Sequence, residues 1–337
     1  MTTWLITGGC GFIGRNLIKH LVEQGGHAIR IIDNLKVGAT SDLAQVCDFT
    51  EIPADTTTPI PSRPGVELII GDIMDADLAL RACQGAHTIV HLAANTGVAP
   101  SVADPRMDCH TNVIGALNYL EAARHNTVPR FVFASSGAPA GEVVPPIHEE
   151  MPAHPVSPYG ASKLAGEGYC SAYFRTFGVQ TVALRFGNVY GPLSGKKDSV
   201  VARFIKQAMA GQPVEIYGDG AQTRDFIYVA DLIGAIRLAA TTPNIGGEIF
   251  QIAASREHTV NELAALLKAE LKKQLNIDMA ITFGAPRQGD VRRNYSDTSK
   301  AKRMLGWQSK TDLAHGLEKV VNWFKERRNE EVQPLKP

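Results

Sequence analysis

The sequence predicts an α/β fold: a doubly wound parallel sheet followed by a smaller, mixed α/β C-terminal lobe. Three observations lead there. Short apolar runs alternate with amphipathic helical stretches through the first half of the chain. The run Ile29–Ile32 is close to continuously apolar, as strands covered on both faces are. A glycine-rich turn, Gly8, Gly11 and Gly14, joins the first strand to the first helix, the Rossmann-type arrangement.

Taken in order, strands are expected at Trp4–Thr7, Ala28–Ile32, Val66–Gly71, Thr88–Leu92, Arg130–Ala134 and Val179–Phe186, with helices at Phe12–Gln24 and Thr111–His125. Thr50–Pro64 holds four prolines and four threonines among fifteen residues and reads as an irregular surface excursion. Beyond Gly187 the alternation loosens. Helices are expected at Val200–Ala210, Val229–Ala240, Val260–Lys273 and Asp312–Arg328, and a strand at Glu248–Ala253. The chain therefore divides into a dinucleotide-binding domain, 1–186, with segments near 225–253 returning to its sheet, and a lobe at 187–330. The polar tail 331–337 reads as frayed.

The bulk numbers set bounds. With 337 residues, 44% of them hydrophobic, the chain can bury a sizeable core. Lys+Arg and Asp+Glu are 34 each, a net charge of zero, which gives no basis for binding nucleic acid or an acidic membrane. The five cysteines are odd in number and lack metal-ligand spacing. They read as reduced thiols of a cytoplasmic protein, and no metal site is expected. The N-terminus enters a strand without a signal-peptide pattern, and no apolar run approaches the ~18 residues of a membrane span.

Each glycine has a task. Gly8 permits the tight turn, Gly11 admits a pyrophosphate to the backbone, and Gly14 lets the helix pack on the strand. The helix N-terminus then faces the phosphates with free N–H groups and partial positive charge. Asp33 ends the second strand nineteen residues after Gly14. A carboxylate there binds the adenosine ribose hydroxyls and repels a 2′-phosphate, so NAD is expected over NADP. Asp72 and Ile73, and Ala93 and Ala94, stand at the ends of later strands, where ligands bind in such sheets.

Tyr159 and Lys163 lie four apart, on one helical face. An ammonium ~5 Å from the phenol contributes roughly 3 kcal/mol at an effective dielectric of ~20. That equals about two pKa units, enough to populate a phenolate base near neutrality. Ser136 ends the fifth strand, within reach of the same substrate hydroxyl.

At this point the chain resembles the extended short-chain dehydrogenase/reductase family, specifically its NAD-dependent nucleotide-sugar epimerases and dehydratases. The resemblance runs through Thr7-Gly-Gly-Cys-Gly-Phe-Ile-Gly14, Asp33-Asn34, Gly71-Asp72-Ile73, His91-Leu-Ala-Ala94, Asn112, Ser135-Ser136 and Tyr159-Gly-Ala-Ser-Lys163. It continues through Asn188-Val-Tyr-Gly-Pro192, Tyr217-Gly-Asp-Gly220, Arg224-Asp-Phe-Ile-Tyr-Val229, Arg287-Gln-Gly-Asp290 and Leu305-Gly-Trp307. It implies that Tyr159 is the base, Ser136 its hydrogen-bonding partner, and that Lys163 also holds the nicotinamide ribose. It puts Phe12, Ile13, Asn34, Leu92, Asn112 and Ser135 with the NAD-binding residues. It sets Asn188 towards the substrate diphosphate and sugar, Tyr217 against the nucleotide base, and Arg224 and Arg287 as a diphosphate clamp, with Asp290 nearby. Homodimerisation through two helices, here Asp108–His125 and Pro158–Phe177, is implied as well.

Departures narrow the reaction. The related 4,6-dehydratases carry an Asp-Glu pair after the active Ser/Thr; here Gly137 and Ala138 stand there and exchange no protons. Decarboxylating relatives usually carry a Glu at the second place. What remains is oxidation at C4 of a UDP-linked hexose, N-acetylhexosamine or hexuronate, rotation, and hydride return: 4-epimerisation. Pro139-Ala140-Gly141 replaces the usual Val-Tyr-Gly and reshapes the sugar side of the loop. Asn294 falls where members restricted to plain hexoses carry a bulky Tyr, which is compatible with a substituted sugar. Dehydration or net redox on the same substrates, and an NAD-loaded scaffold without turnover, are the competing readings.

Overall fold

The computed structural model describes residues 2–61, 63–286 and 291–332, with side chains to 328. Its first half contributes β1 (Thr2–Thr7), β2 (His27–Asp33), β3 (Thr50–Glu51), β4 (Gly65–Ile70), β5 (Thr88–His91), β6 (Arg130–Ser136) and β7 (Gln180–Phe186). With the strand Glu248–Ile252 they form one eight-stranded sheet, ordered Glu248–Ile252, β7, β6, β5, β1, β2, β4, β3. Every pairing in it is parallel. The order reverses at β1, flanked by β2 and β5, so the crevice for a ligand opens beyond Thr7.

Both faces are covered. Helix Phe12–Gln24 buries Leu17, Ile18 and Leu21 in one apolar cluster with Ile233 and Ile236 of helix Val229–Thr241. On the other face, helices Ala76–Ala82, Gly115–His125 and Pro158–Phe177 bury Leu78, Tyr119, Leu120 and Tyr173 against Phe131 and Phe133 of β6. A third cluster, including Phe204, Ile216, Leu263, Leu267 and Leu317, forms the core of the C-terminal lobe.

Two sequence expectations change. The Thr50–Pro64 excursion contains β3, which adds to the sheet edge through Thr50 and Glu51 opposite Glu67 and Leu68. Beyond it the chain folds back over β2. Thr58 O accepts from Arg30, a fully buried cation in the middle of β2, and Glu67 pairs with the same guanidinium at 2.8 Å. The excursion thus supplies a carbonyl acceptor to a guanidinium that is fully buried and paired with the partly buried Glu67. Second, the expected helix from Thr111 starts as a π-turn, His110–Ile114, before the α-helix Gly115–His125.

The helix bearing Tyr159 has strong local signals at both ends. Ser157 accepts from Gly160 N, Pro158 occupies the first turn, and Gly178 closes it at φ 74°.

Candidate active site

The glycine loop is as tight as its composition demands. Gly8 takes φ 71°, and a Cβ there would lie 2.8 Å from Ala93 N. A Cβ on Gly14 would stand 2.5 Å from Gly8 O and 2.6 Å from Gly9 Cα, so the first helical turn sits directly on the turn that precedes it. Gly11 caps the helix without any side-chain hydrogen bond, leaving the first-turn N–H groups for an anion. Phe12 and Ile13 follow, both half-buried.

Asp33, buried at the end of β2, holds this loop from the other side. Its Oδ2 accepts from Cys10 N at 2.9 Å and its Oδ1 from Leu35 N at 2.8 Å. Burial raises its pKa and the two N–H groups oppose that rise. Each carboxylate oxygen keeps a second lone pair for a ribose hydroxyl. Exposed Asn34 donates to Asp72 Oδ2 at 2.9 Å, bridging the ends of β2 and β4. Ile73 is buried beneath Gly115, where a Cβ would collide with it at 2.6 Å. Leu92, Ala93 and Ala94 run on from β5, and Thr7 Oγ1 fixes Ala93 N at 3.2 Å. The same hydroxyl meets His91 Nδ1 at 3.1 Å. Burial and the nearby Lys163 hold His91 down to about 3, so it stays neutral. The cradle, the free N–H groups and the carboxylate at the sheet edge together fit a dinucleotide with an unphosphorylated 2′-hydroxyl.

Ser136 and Tyr159 come together in the site: the Ser136 hydroxyl acts to lower the phenol pKa, and it accepts from Ala138 N at 3.2 Å. Lys163 departs from expectation. Its ammonium donates to Ala134 O at 2.8 Å, lies over the Phe133 ring at 4.9 Å, and is 5.9 Å from the Tyr159 ring centre. The expected lowering of Tyr159 by Lys163 therefore does not hold in this structure. Burial raises the phenol pKa, the Ser136 hydrogen bond lowers it, and Asp108 raises it again. Burial in turn lowers Lys163 to about 8, opposed by the carboxylates of Asp108 and Glu167.

Those two carboxylates are the residues that sequence reasoning missed. Asp108 is fully buried. Its Oδ1 accepts from Asn112 Nδ2 at 3.0 Å, while Oδ2 has no hydrogen-bond partner. Glu167, four residues after Lys163, holds Arg185 through contacts of 2.8 and 2.7 Å. The four-residue spacing was the available signal, since it sets Glu167 on the face of Tyr159 and Lys163.

Two residues that the resemblance assigns to the cofactor have their side chains bonded within the same clusters. The Ser135 hydroxyl donates to Glu167 at 2.6 Å, away from the crevice. The Asn112 amide is spent within the protein, accepting from Asn95 N at 2.8 Å and donating towards Asn95 O, Asp108 and Ser162. Both are buried.

In the lobe, Asn188 is exposed at the start of strand Asn188–Tyr190, whose neighbour is Phe226–Tyr228. Tyr217 is half-buried with the Arg203 guanidinium 5.5 Å from its ring centre. Arg224 Nη1 donates to Thr223 O at 2.6 Å and Val291 O at 2.7 Å, which braces the segment that carries Asn294. Asn294 N donates to Thr223 Oγ1 at 3.3 Å. Arg287 and Asp290 lie outside the described residues. Gly137 and Ala138 stand directly after Ser136, and Ala138–Ala140 forms a 3₁₀ turn. Gly160 packs on it so closely that a Cβ would meet Ala138 O at 2.7 Å. Among the described residues no group of three or more His, Cys, Asp or Glu assembles to hold a metal. No helix there is long and apolar enough to cross a membrane.

A dinucleotide cradle with a serine and a tyrosine at the carboxyl edge of a parallel sheet is an arrangement chemically suited to moving hydride and proton. The model of the NAD dependent epimerase/dehydratase family matches residues 4–253, and the chain belongs to that family, with NAD as its cofactor. The chain is 36% identical over 326 residues to a putative UDP-glucose 4-epimerase of Methanocaldococcus jannaschii, covering 95% of this chain and 98% of that one. Among solved structures, the UDP-glucose 4-epimerase of Thermotoga maritima with UDP-glucose superposes with TM-score 0.85 at 34% identity, covering 97% of this chain and 100% of that one. The dTDP-glucose 4,6-dehydratase of Streptomyces venezuelae, solved with NAD bound, also gives 0.85, at 29% identity and 98% coverage of both chains.

Proposed function

We propose that the protein is a nucleotide-sugar 4-epimerase acting on a UDP-linked hexose, N-acetylhexosamine or hexuronate. The observation that carries this reading is Ser136 acting on the Tyr159 phenol, with Gly137 and Ala138, rather than acids, directly after it. The pair handles one hydroxyl proton, and no side-chain acid follows it to expel water or CO2. NAD, held by Gly8, Gly11, Gly14 and Asp33, supplies hydride acceptance at C4 and its return. Tyr159 takes the 4-hydroxyl proton, Ser136 steers that hydroxyl, and Lys163 is the candidate to hold the nicotinamide ribose. Asn188, Tyr217, Arg224, Arg287 and Asp290 are the candidate UDP-sugar residues, and Asn294 borders the sugar. Guanidinium forks suit the diphosphate.

The relatives named for 4-epimerisation support this reading, while the dehydratase relative keeps dehydration as the competitor. A panel of UDP-sugars incubated without added NAD separates them: NMR should show C4 inversion. Stoichiometric NADH release, or loss of water or CO2, rejects the epimerase reading. We also infer a homodimer, formed by the helices that expose Ile114, Tyr169 and Phe177. Light scattering at twice the chain mass would support it, and a monomer would reject it.

A further inference from the structure

A second cavity lies away from Tyr159, where helix Phe12–Gln24, the turn Thr40–Leu43 and the C-terminal helix Leu313–Val332 meet. Its volume is about 470 Å³, within the usual range for small-molecule sites. Five cationic side chains line it: Arg15, Lys196, Lys206, Arg327 and Arg328. Asp42 is the one carboxylate among the described lining residues, and Trp323 with Phe324 provides an apolar wall.

The charges are poorly matched from within. Arg15 is buried, and its Nε has no hydrogen-bond partner. Its Nη2 donates to Leu193 O at 2.7 Å, but Nη1 stands 3.8 Å from Asp42. Asp42 instead holds Lys196 at 2.7 Å, so two cations share one carboxylate. Arg327 repels Arg15 and leans on Gln45 and the Trp323 ring, neither of which is charged. A buried guanidinium N–H without an acceptor is costly, and a neighbouring guanidinium adds to that cost. An anion bearing several oxygens would relieve both.

We propose that this cavity binds a small phosphate-bearing anion, gripped by Arg15 and Arg327 with Lys196 beside them. The site joins the two halves of the chain. Arg15 follows Gly14 directly, and Arg15 and Asn16 hold the carbonyls of Leu193 and Pro192. Occupancy therefore ties the glycine-loop helix to the lobe.

Inorganic pyrophosphate is the probe, titrated calorimetrically into NAD-loaded protein already saturated with UDP. Saturable binding at one equivalent per chain is expected. The double variant Lys196→Gln/Arg327→Gln should weaken it about tenfold or more, with turnover in the absence of pyrophosphate unchanged. Tyr159→Phe should bind pyrophosphate as the parent does. Heats that do not saturate, that sodium chloride reproduces at equal ionic strength, or that persist unchanged in the double variant overturn the proposal. An inactive protein that still binds pyrophosphate through Arg327 would reject the epimerase reading and leave this site standing.

Discussion

In the sheet-bearing half, the groups at the site stand on successive carboxyl ends of parallel strands: Gly8 after β1, Asp33 on β2, Ala93 after β5 and Ser136 on β6. In the lobe, Asn188, Tyr217 and Arg224 stand on three separate short pairings, with Phe226–Tyr228, Ile281–Gly284 and His258–Thr259 respectively. Charge is handled differently as well. The sheet half keeps Lys163, Asp108, Glu167 and Arg185 in its interior. The lobe carries paired cations at its surface, among them Arg292 with Asp219 at 2.9 Å and Arg293 with Glu257 at 2.7 Å. A ladder of parallel strands fixes backbone positions to fractions of an ångström and excludes water, which suits chemistry. Short pairings joined by loops hold a ligand through side chains and tolerate variation, which suits recognition.

That contrast can be broken by substitution. Tyr159→Phe should show the largest effect, a loss of about 10³ in turnover (~4 kcal/mol) with KM little changed. Turnover kinetics with UDP-glucose or another active UDP-sugar would measure it, and near-parental activity would move the base elsewhere.

Lys163 tests the interior charge. Its folded pKa of about 8 lies below the ordinary 10.5, so the unfolded chain binds more protons between those values. Stability from this group therefore rises as pH rises from 8 to 10.5, by about 3 kcal/mol relative to Lys163→Met. Urea denaturation of both proteins across that range would report it; parallel curves would mean that Lys163 titrates normally.

Gly14→Val forces a side chain into backbone that lies 2.5 Å away. Cofactor retention should fall about 10² (~2.7 kcal/mol), seen as protein purified without NAD. Normal NAD content would show that the loop yields more than its packing suggests. Smallest is Arg224→Lys, which keeps the charge but loses the fork. KM for the UDP-sugar should rise about tenfold (~1.4 kcal/mol) with turnover and NAD content unchanged. A fall in turnover would erase the division between chemistry and recognition.

The residues themselves explain which features were legible. The glycine loop could be read because its glycines answer backbone demands within a few residues. Asp33 could be read because strand and helix lengths set its place in a βαβ unit. β3 could not: two residues paired at an edge leave almost no pattern, and the prolines after them dominate the local signal. Ser135 and Ser136 are neighbours of the same type, yet one hydroxyl turns to Glu167 and the other to Ala138 N, because strand side chains alternate faces. Lys163 shared a helical face with Tyr159 as its spacing required, but the carbonyl of Ala134 took its ammonium.

Spacing along the chain carried the class of sheet, the cofactor loop and the candidate base, since each leaves residue types at fixed intervals in the sequence. Partners distant in sequence were decided by packing alone: Asn112 with Ser162 on the helix of Tyr159, Arg30 under the Thr58 carbonyl, Arg15 on the Leu193 carbonyl. Burial sets the acidity of Lys163 and Tyr159, and burial exists only once the sheet, its helices and the crevice have closed around them.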